Sequence, residues 1–258
     1  MVNKNSEDNS INSESQQQPA LTFSNDNGSK EDNNNKKNDG IKKEQSFQYY
    51  LCFDVEATCE KGKGFEYKNE IIEFPIILIE SKTFETVDIF HSYVKPSIRP
   101  ILSDFCKELT GISQKTIDES PSFPEMIINF QEFLHKHQLF YENTCAFITD
   151  GPWDIRDFIE KQCKISQIGR PSYFSIPWVD IRTLFSKFYD CKKVNIDGML
   201  SRYGLEFKGH KHSGIDDVKN LAIIAKKMWE DGAIFDVNDD LSRWNKSRNH
   251  RRKKYKKK

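Results

Sequence analysis

No two of the six cysteines (Cys52, Cys59, Cys106, Cys145, Cys163 and Cys191) have CxxC spacing. That excludes the usual ligand pattern of a structural zinc site. Several of them sit in apolar runs, which predicts reduced, mostly buried thiols. No apolar run approaches the roughly 20 residues that a membrane-spanning helix needs. The first residues are polar, with no apolar run after them, so no secretory signal is expected. Together these absences predict a cytoplasmic and/or nuclear protein that is not secreted and has no membrane partner. No internal repeat is visible. Large apolar side chains are nearly missing from residues 1–45, which carry ten Asn and four Gln. Such a segment cannot bury enough surface to offset chain entropy and is predicted to be a disordered tail. Acidic residues are missing from the other end. Residues 243–258 hold ten Lys or Arg and no Asp or Glu.

The 258-residue chain has 39 residues of each sign. Residues 46–242 hold 23 basic against 31 acidic, so a net charge of zero hides an acidic body with a basic tail. That tail, RWNKSRNHRRKKYKKK, is suited to attracting phosphates or to nuclear import, and a plain solvated terminus has the same composition. The apolar fraction of 36% and mean hydropathy of −0.72 average over these unlike regions. Three segments follow: a tail over 1–45, a folded domain over 46–240 and a basic tail over 241–258.

Within the domain, Tyr49–Val55, Ile76–Glu80 and Val87–Val94 read as consecutive strands with short connections, an antiparallel meander. LSDFCKELTGIS reads as a helix ended by Gly111. SFPEMIINFQEFLHKH reads as an amphipathic helix with Phe123, Met126, Ile127 and Phe130 on one face. TCAFIT and PWVDI are short strands. WDIRDFIEKQC, RTLFSKFYD, NIDGMLSRYG and IDDVKNLAIIAKKMWEDG are helices. Strands first, then alternating helices and strands, predict an α/β domain with a mixed central sheet flanked by helices.

The first strand runs into Asp54 and Glu56. Side chains two apart on a strand share a face, and two adjacent anions there are costly unless a cation lies between them. A frayed strand end or pairing with nearby lysines would also relieve that cost. Asp150 lies at a strand end and Asp154 at a helix entry, where a carboxylate is also an ordinary N-cap, with Asp157 three residues on. Asp216 and Asp217 open the last helix, where the dipole favours carboxylates in any case. His212, five residues before Asp217, reads by itself as a loop histidine.

As a set, FDVEATC, TDGPWD and HSGIDD resemble, in order and separation, the three motifs of the DEDDh 3′–5′ exonucleases on the ribonuclease H-like fold. NEIIEFPIIL and ELTGIS bring the likeness closer to the enhanced-RNAi exoribonucleases, also called three-prime histone mRNA exonucleases. The resemblance covers about Phe47 to Val237. It implies that Asp54, Glu56, Asp154 and Asp217 hold two divalent metals. It also implies that His212 is the general base and that Glu56 helps to orient the attacking water. The His-to-Asp gap of the third motif selects Asp217 over Asp216, and Asp150 falls outside the ligand set. The backbone at Glu56 and Ala57 is implied to lie near the terminal nucleotide. Two departures stand out: Pro152 inside the second motif, and no recognisable SAP-type module ahead of the domain.

Oxygen ligands of this kind favour Mg²⁺, with Mn²⁺ a substitute. The implied reaction removes 5′-mononucleotides one at a time from RNA with a free 3′ end. Trp153, Phe105 and Leu109 are further candidates for contact with terminal bases. Two rivals share these residues: a DNA 3′–5′ exonuclease with the same site, and a noncatalytic RNA-binding scaffold on the same fold.

Overall fold

A computed structural model describes residues 44–64 and 67–244. The expectations for the segment up to residue 43 and for the basic run from 245 onward lie outside the described residues.

Four strands carry the centre. β1 (Tyr49–Phe53), β3 (Ile71–Glu80) and β4 (Thr86–Tyr93) pair antiparallel with β3 in the middle, and β5 (Cys145–Thr149) pairs parallel to β1. A short β6 (Val179–Asp180) extends the parallel side, and β2 (Glu56–Ala57) resumes pairing with β3 after β1 ends. The result is the expected mixed sheet.

Side chains alternate between the two faces of the sheet, and on β1, β3 and β5 both faces are buried. Leu51, Phe53, Phe74, Ile76, Leu78 and Phe147 point to one face. There they meet α3 (Phe123–Lys136), α4 (Ile159–Ile165) and the Phe174 ring. Tyr50, Cys52, Ile77, Ile79, Ala146 and Ile148 point to the other. That face is covered by α5 (Ile181–Phe188), α6 (Ile196–Arg202) and α7 (Gly214–Glu230). Nine phenylalanine rings are thereby core: Phe53, Phe74, Phe84, Phe123, Phe130, Phe147, Phe174, Phe185 and Phe235 are at most 2% exposed.

Three elements differ from expectation. β3 begins at Ile71, not after Pro75. Proline interrupts a strand only where a ladder hydrogen bond is needed. Pro75 lies between Ile76, which pairs with Phe53, and Glu73, which pairs with Glu56, so it faces the break between β1 and β2. Strand β1 ends at Phe53, which leaves Asp54 just past its end. A five-residue α2 (Gln114–Asp118) follows α1 (Asp104–Thr110), capped by the Ser113 hydroxyl, which accepts from the Thr116 N–H at 3.0 Å. With Ile117 its only buried side chain, it offers no periodicity to read.

The domain edges also pack. The Gln45 side chain donates to the Ala233 carbonyl and accepts from the Phe235 N–H. The Trp244 indole N–H donates to Asp239, and the Arg156 guanidinium lies over the Trp244 ring.

Candidate active site

β1 and β5 run parallel, so the loops that follow them leave from the same end of the sheet, the usual place for a ligand site in such sheets. Asp54 follows β1 and Asp150 follows β5. A cleft of about 550 Å³ opens there. Asp54, Glu56, Ala57, Leu109, Asp150, Trp153, Asp154, His212 and Asp217 all line it. Phe105 is half-buried on α1 and is not part of that lining.

Asp54, Glu56 and Asp217 each bring a carboxylate oxygen within 4.8 Å of the other two. They come from the end of β1, from β2 and from the first turn of α7. Residues 163 apart in sequence thus share one spot. Asp154 lies outside this triangle but beside Asp54, and is itself only 6% exposed. Its carboxyl accepts from the Val55 backbone N–H, and that of Asp217 from the His212 backbone N–H.

Protonation follows from this crowding. Burial, then the charges of Asp154, Glu56 and Asp217, holds Asp54 well above the usual carboxylate range. Burial, then Asp217 and Glu73, does the same to Glu56. Burial is also the main cause for Asp154 and Asp217, and each is pushed up to about 7. Among the described residues no protein cation is paired with Asp54, Glu56 or Asp217 within ion-pair distance. The lysine-pairing reading of the first motif therefore fails.

The neighbouring carboxylates are different. Asp150 is gripped from both oxygens by Arg182, at 2.5 and 2.6 Å, which accounts for its place outside the cluster. Asp216 accepts from the His210 N–H at 3.0 Å and from Lys219 at 3.1 Å. Burial opposes these contacts, yet they hold Asp216 below the usual range. Asp217 has the His212 N–H but, among the described residues, no such cation.

Asp154 is not an N-cap. Trp153 holds the cap position with helical angles (φ −66°, ψ −42°), and Asp154 opens a π-helical turn, Asp154–Phe158. The Ile159 N–H reaches back to the Asp154 carbonyl, the wide loop that often marks functional sites. Gly151 (φ +99°) precedes it, and any Cβ there would overlap the Trp153 ring. That ring is wedged against Gly151, with Arg182 5.4 Å from its centroid on the cleft side. Trp153 is thereby a fixed wall, 40% exposed.

His212 is exposed in the cleft and sits at φ +65°. A non-glycine residue there is uncommon, and such outliers gather at functional sites. Its neighbour Lys211 pairs with Asp197 at 2.9 Å, and both line the cleft with Asn195, Ile196 and Phe207. This wall and Arg182 were not read from the sequence. A cation next to the motif histidine was the one signal available.

These carboxylates, the exposed histidine and the strand order make up one known arrangement. The exonuclease family of RNase T type matches residues 51–225. The chain belongs to the DEDDh 3′–5′ exonucleases, in the eri1 exoribonuclease subfamily. It is 40% identical over 211 residues to the 3′-5′ exonuclease eri1 of Schizosaccharomyces pombe, covering 74% of this chain and 71% of that one. It is 37% identical over 199 residues to human 3′-5′ exoribonuclease 1, covering 76% of this chain. The chain spans 57% of that relative's length. The nuclease domain of 3′hExo, described as a DEDDh family member bound to rAMP, superposes with a TM-score of 0.74 at 36% identity. That match covers 76% of this chain and all of that domain. The fold is therefore the ribonuclease H-like exonuclease fold, and the family is one that depends on divalent metal.

Proposed function

We propose that this protein is a 3′–5′ exoribonuclease that hydrolyses RNA from a free 3′ end and releases 5′-mononucleotides. One observation carries the reading: half-buried carboxylates converge without protein cations beside an exposed histidine at the C-terminal end of β1. The names of the eri1 relatives support RNA as the substrate.

The donor set fits hard dications, because it is all oxygen and carries more negative charge than the protein neutralises. Asp54, Glu56 and Asp217 would hold them, with Asp154 completing the set, and Mg²⁺ is the ion that suits these ligands best, with Mn²⁺ able to replace it. When bound, two such ions supply charge stabilisation for both the attacking and the leaving oxygen of a phosphodiester.

The chain's own residues do the rest. His212 accepts the proton of the attacking water at an imidazole nitrogen. Its place on a short loop pinned by the bond from its own N–H to Asp217 keeps the base beside the carboxylates. Glu56 orients the water, and the backbone at Glu56 and Ala57 receives the terminal nucleotide. Leu109 and Trp153 form walls for the last bases. Lys211 offers a cation to the phosphates if it leaves Asp197.

The test is end-labelled RNA and DNA of one sequence, incubated with the full chain with and without Mg²⁺. Stepwise shortening of RNA to 5′-mononucleotides that requires the ion is expected. Products with 3′-phosphates, or shortening that survives chelation, would overturn the reading. Faster cutting of DNA would transfer the same chemistry to the other substrate.

A further inference from the structure

Glu73 is fully buried on β3, yet no chemistry assigned to the cleft uses it. It faces Glu56 directly across the β2–β3 pair. Like charges opposite each other on neighbouring strands are destabilising, so a neutral side chain would be the cheaper choice here. Three donors surround the Glu73 carboxylate. The Gly214 N–H reaches one oxygen at 2.9 Å, and the Ile215 N–H reaches the other at 3.1 Å. The His91 Nε2, from β4, lies 2.8 Å from that second oxygen.

Gly214 and Ile215 are the first two residues of α7. A helix start leaves its first N–H groups without partners, and the residue before it usually supplies one. Ser213 holds that position but makes no such bond with its side chain. A carboxylate 141 residues away does so in its place. The contact is close: a Cβ on Gly214 would lie 3.3 Å from a Glu73 oxygen and 3.2 Å from Pro75. A side chain at Gly214 would push Glu73 or Pro75 back by a few tenths of an ångström.

One residue therefore links two of the elements that make the carboxylate triangle. Its backbone pairs with Glu56 on β2, and its side chain fastens the start of α7, which places Asp217 one turn further on. We infer that Glu73, buttressed by His91, is a positioning residue that sets the separation of Glu56 and Asp217 and hence the affinity of the site for divalent cations. This rests on the metal-dependent reading proposed above. A cap that served helix stability alone would leave cation affinity per folded molecule unchanged.

The experiment measures Mn²⁺ binding to the full chain without RNA, from the electron paramagnetic resonance signal of free Mn²⁺. Glu73→Gln retains size but loses one acceptor and turns an amide N–H toward donors. It is expected to weaken Mn²⁺ binding about tenfold, the effect usual for groups that orient metal ligands. Gly214→Ala pushes the same contact apart from the other side and is expected to act in the same direction. In RNA cleavage both are expected to lower kcat with little change in KM.

If Glu73→Gln fails to fold, His91 provides the second route, because it is exposed on an edge strand and its replacement leaves the core untouched. His91→Ala is expected to weaken Mn²⁺ binding, and His91→Gln, which restores a donor, to recover it. Wild-type affinity in folded Glu73→Gln and Gly214→Ala, or in His91→Ala, overturns the inference and leaves the site reading intact. A wild-type protein that binds no Mn²⁺ overturns both.

Discussion

Two carboxylates, Glu70 next to the start of β3 and Asp54 next to the end of β1, behave in opposite ways. Glu70 is fully buried, and its oxygens accept from the Ser97 N–H at 2.6 Å and hydroxyl at 2.8 Å, the Ile98 N–H at 2.8 Å and the Arg99 N–H at 3.0 Å. Its charge is satisfied by the protein, and its work is to pin the loop between β4 and α1. Asp54 lies at the floor of the cleft with three other carboxylates around it and, among the described residues, no protein hydrogen-bond donor. Its charge is left for something else to satisfy. Burial alone does not separate a structural carboxylate from a functional one. The supply of donors does.

The largest expected effect would break this contrast outright. Asp54→Asn is expected to lower RNA hydrolysis on the order of 10³-fold, as loss of one group that stabilises the transition state does. The same change removes repulsion from the cluster, so the metal-free protein is expected to melt higher than wild type at pH 8. Single-turnover cleavage and calorimetric melting read the two effects. Lower stability together with lower activity would mean that Asp54 is an ordinary core group.

Glu70→Ala is the mirror experiment. It leaves several N–H and O–H donors without a buried acceptor, and urea denaturation is expected to show a loss of roughly 3 kcal/mol. Activity per folded molecule is expected to fall far less than in Asp54→Asn.

A third effect sharpens the comparison through pH. Asp154 and Asp217 are raised to about 7 in the folded chain by burial first. Unfolded carboxylates titrate near about 4, so between these values the folded state holds more protons than the unfolded one. Stability of the metal-free protein must then fall as pH rises from about 4 to about 7, and stay low above that. Melting temperatures at pH 5 and pH 8 check this. Added Mn²⁺ is expected to reverse the order by taking the place of the protons. A melting temperature that climbs from pH 5 to pH 8 without metal would contradict it.

The smallest effect concerns the acidic body and its basic tail. Removing residues 243–258 is expected to raise KM a few-fold and flatten its dependence on salt, because fewer cations would displace counterions from RNA. An unchanged salt slope would count against a role for the tail in binding.

Much of the site was legible because its residues announce themselves locally. Asp54 and Glu56 end an apolar run, Asp154 follows an aromatic residue, and His212 precedes Asp217 at a fixed gap. The mixed sheet was legible too, since strands buried on both faces read as apolar runs. What stayed hidden depends on distance. Glu73 sits inside EIIEFP, where it looks like a polar interruption before a proline, and its partners lie on another strand and 141 residues away. The bidentate Arg182–Asp150 pair spans 32 residues and carries no motif. The π-helical turn at Asp154 was hidden because its sequence suits an ordinary helix equally well. A glutamate in an otherwise apolar strand is still a usable signal, because burial forces it to have partners somewhere.

The most direct measurement is the number of protons released when Mn²⁺ binds, obtained by isothermal titration calorimetry of the full chain near pH 7 in buffers of different ionisation enthalpy. Carboxylates that burial and mutual repulsion keep protonated must give up their protons to the cation, so net proton release is expected, and it should shrink at pH 9 and in Asp54→Asn. Mn²⁺ binding with no proton release near pH 7, or no binding at all, would contradict the claim that this cluster is stabilised by dications.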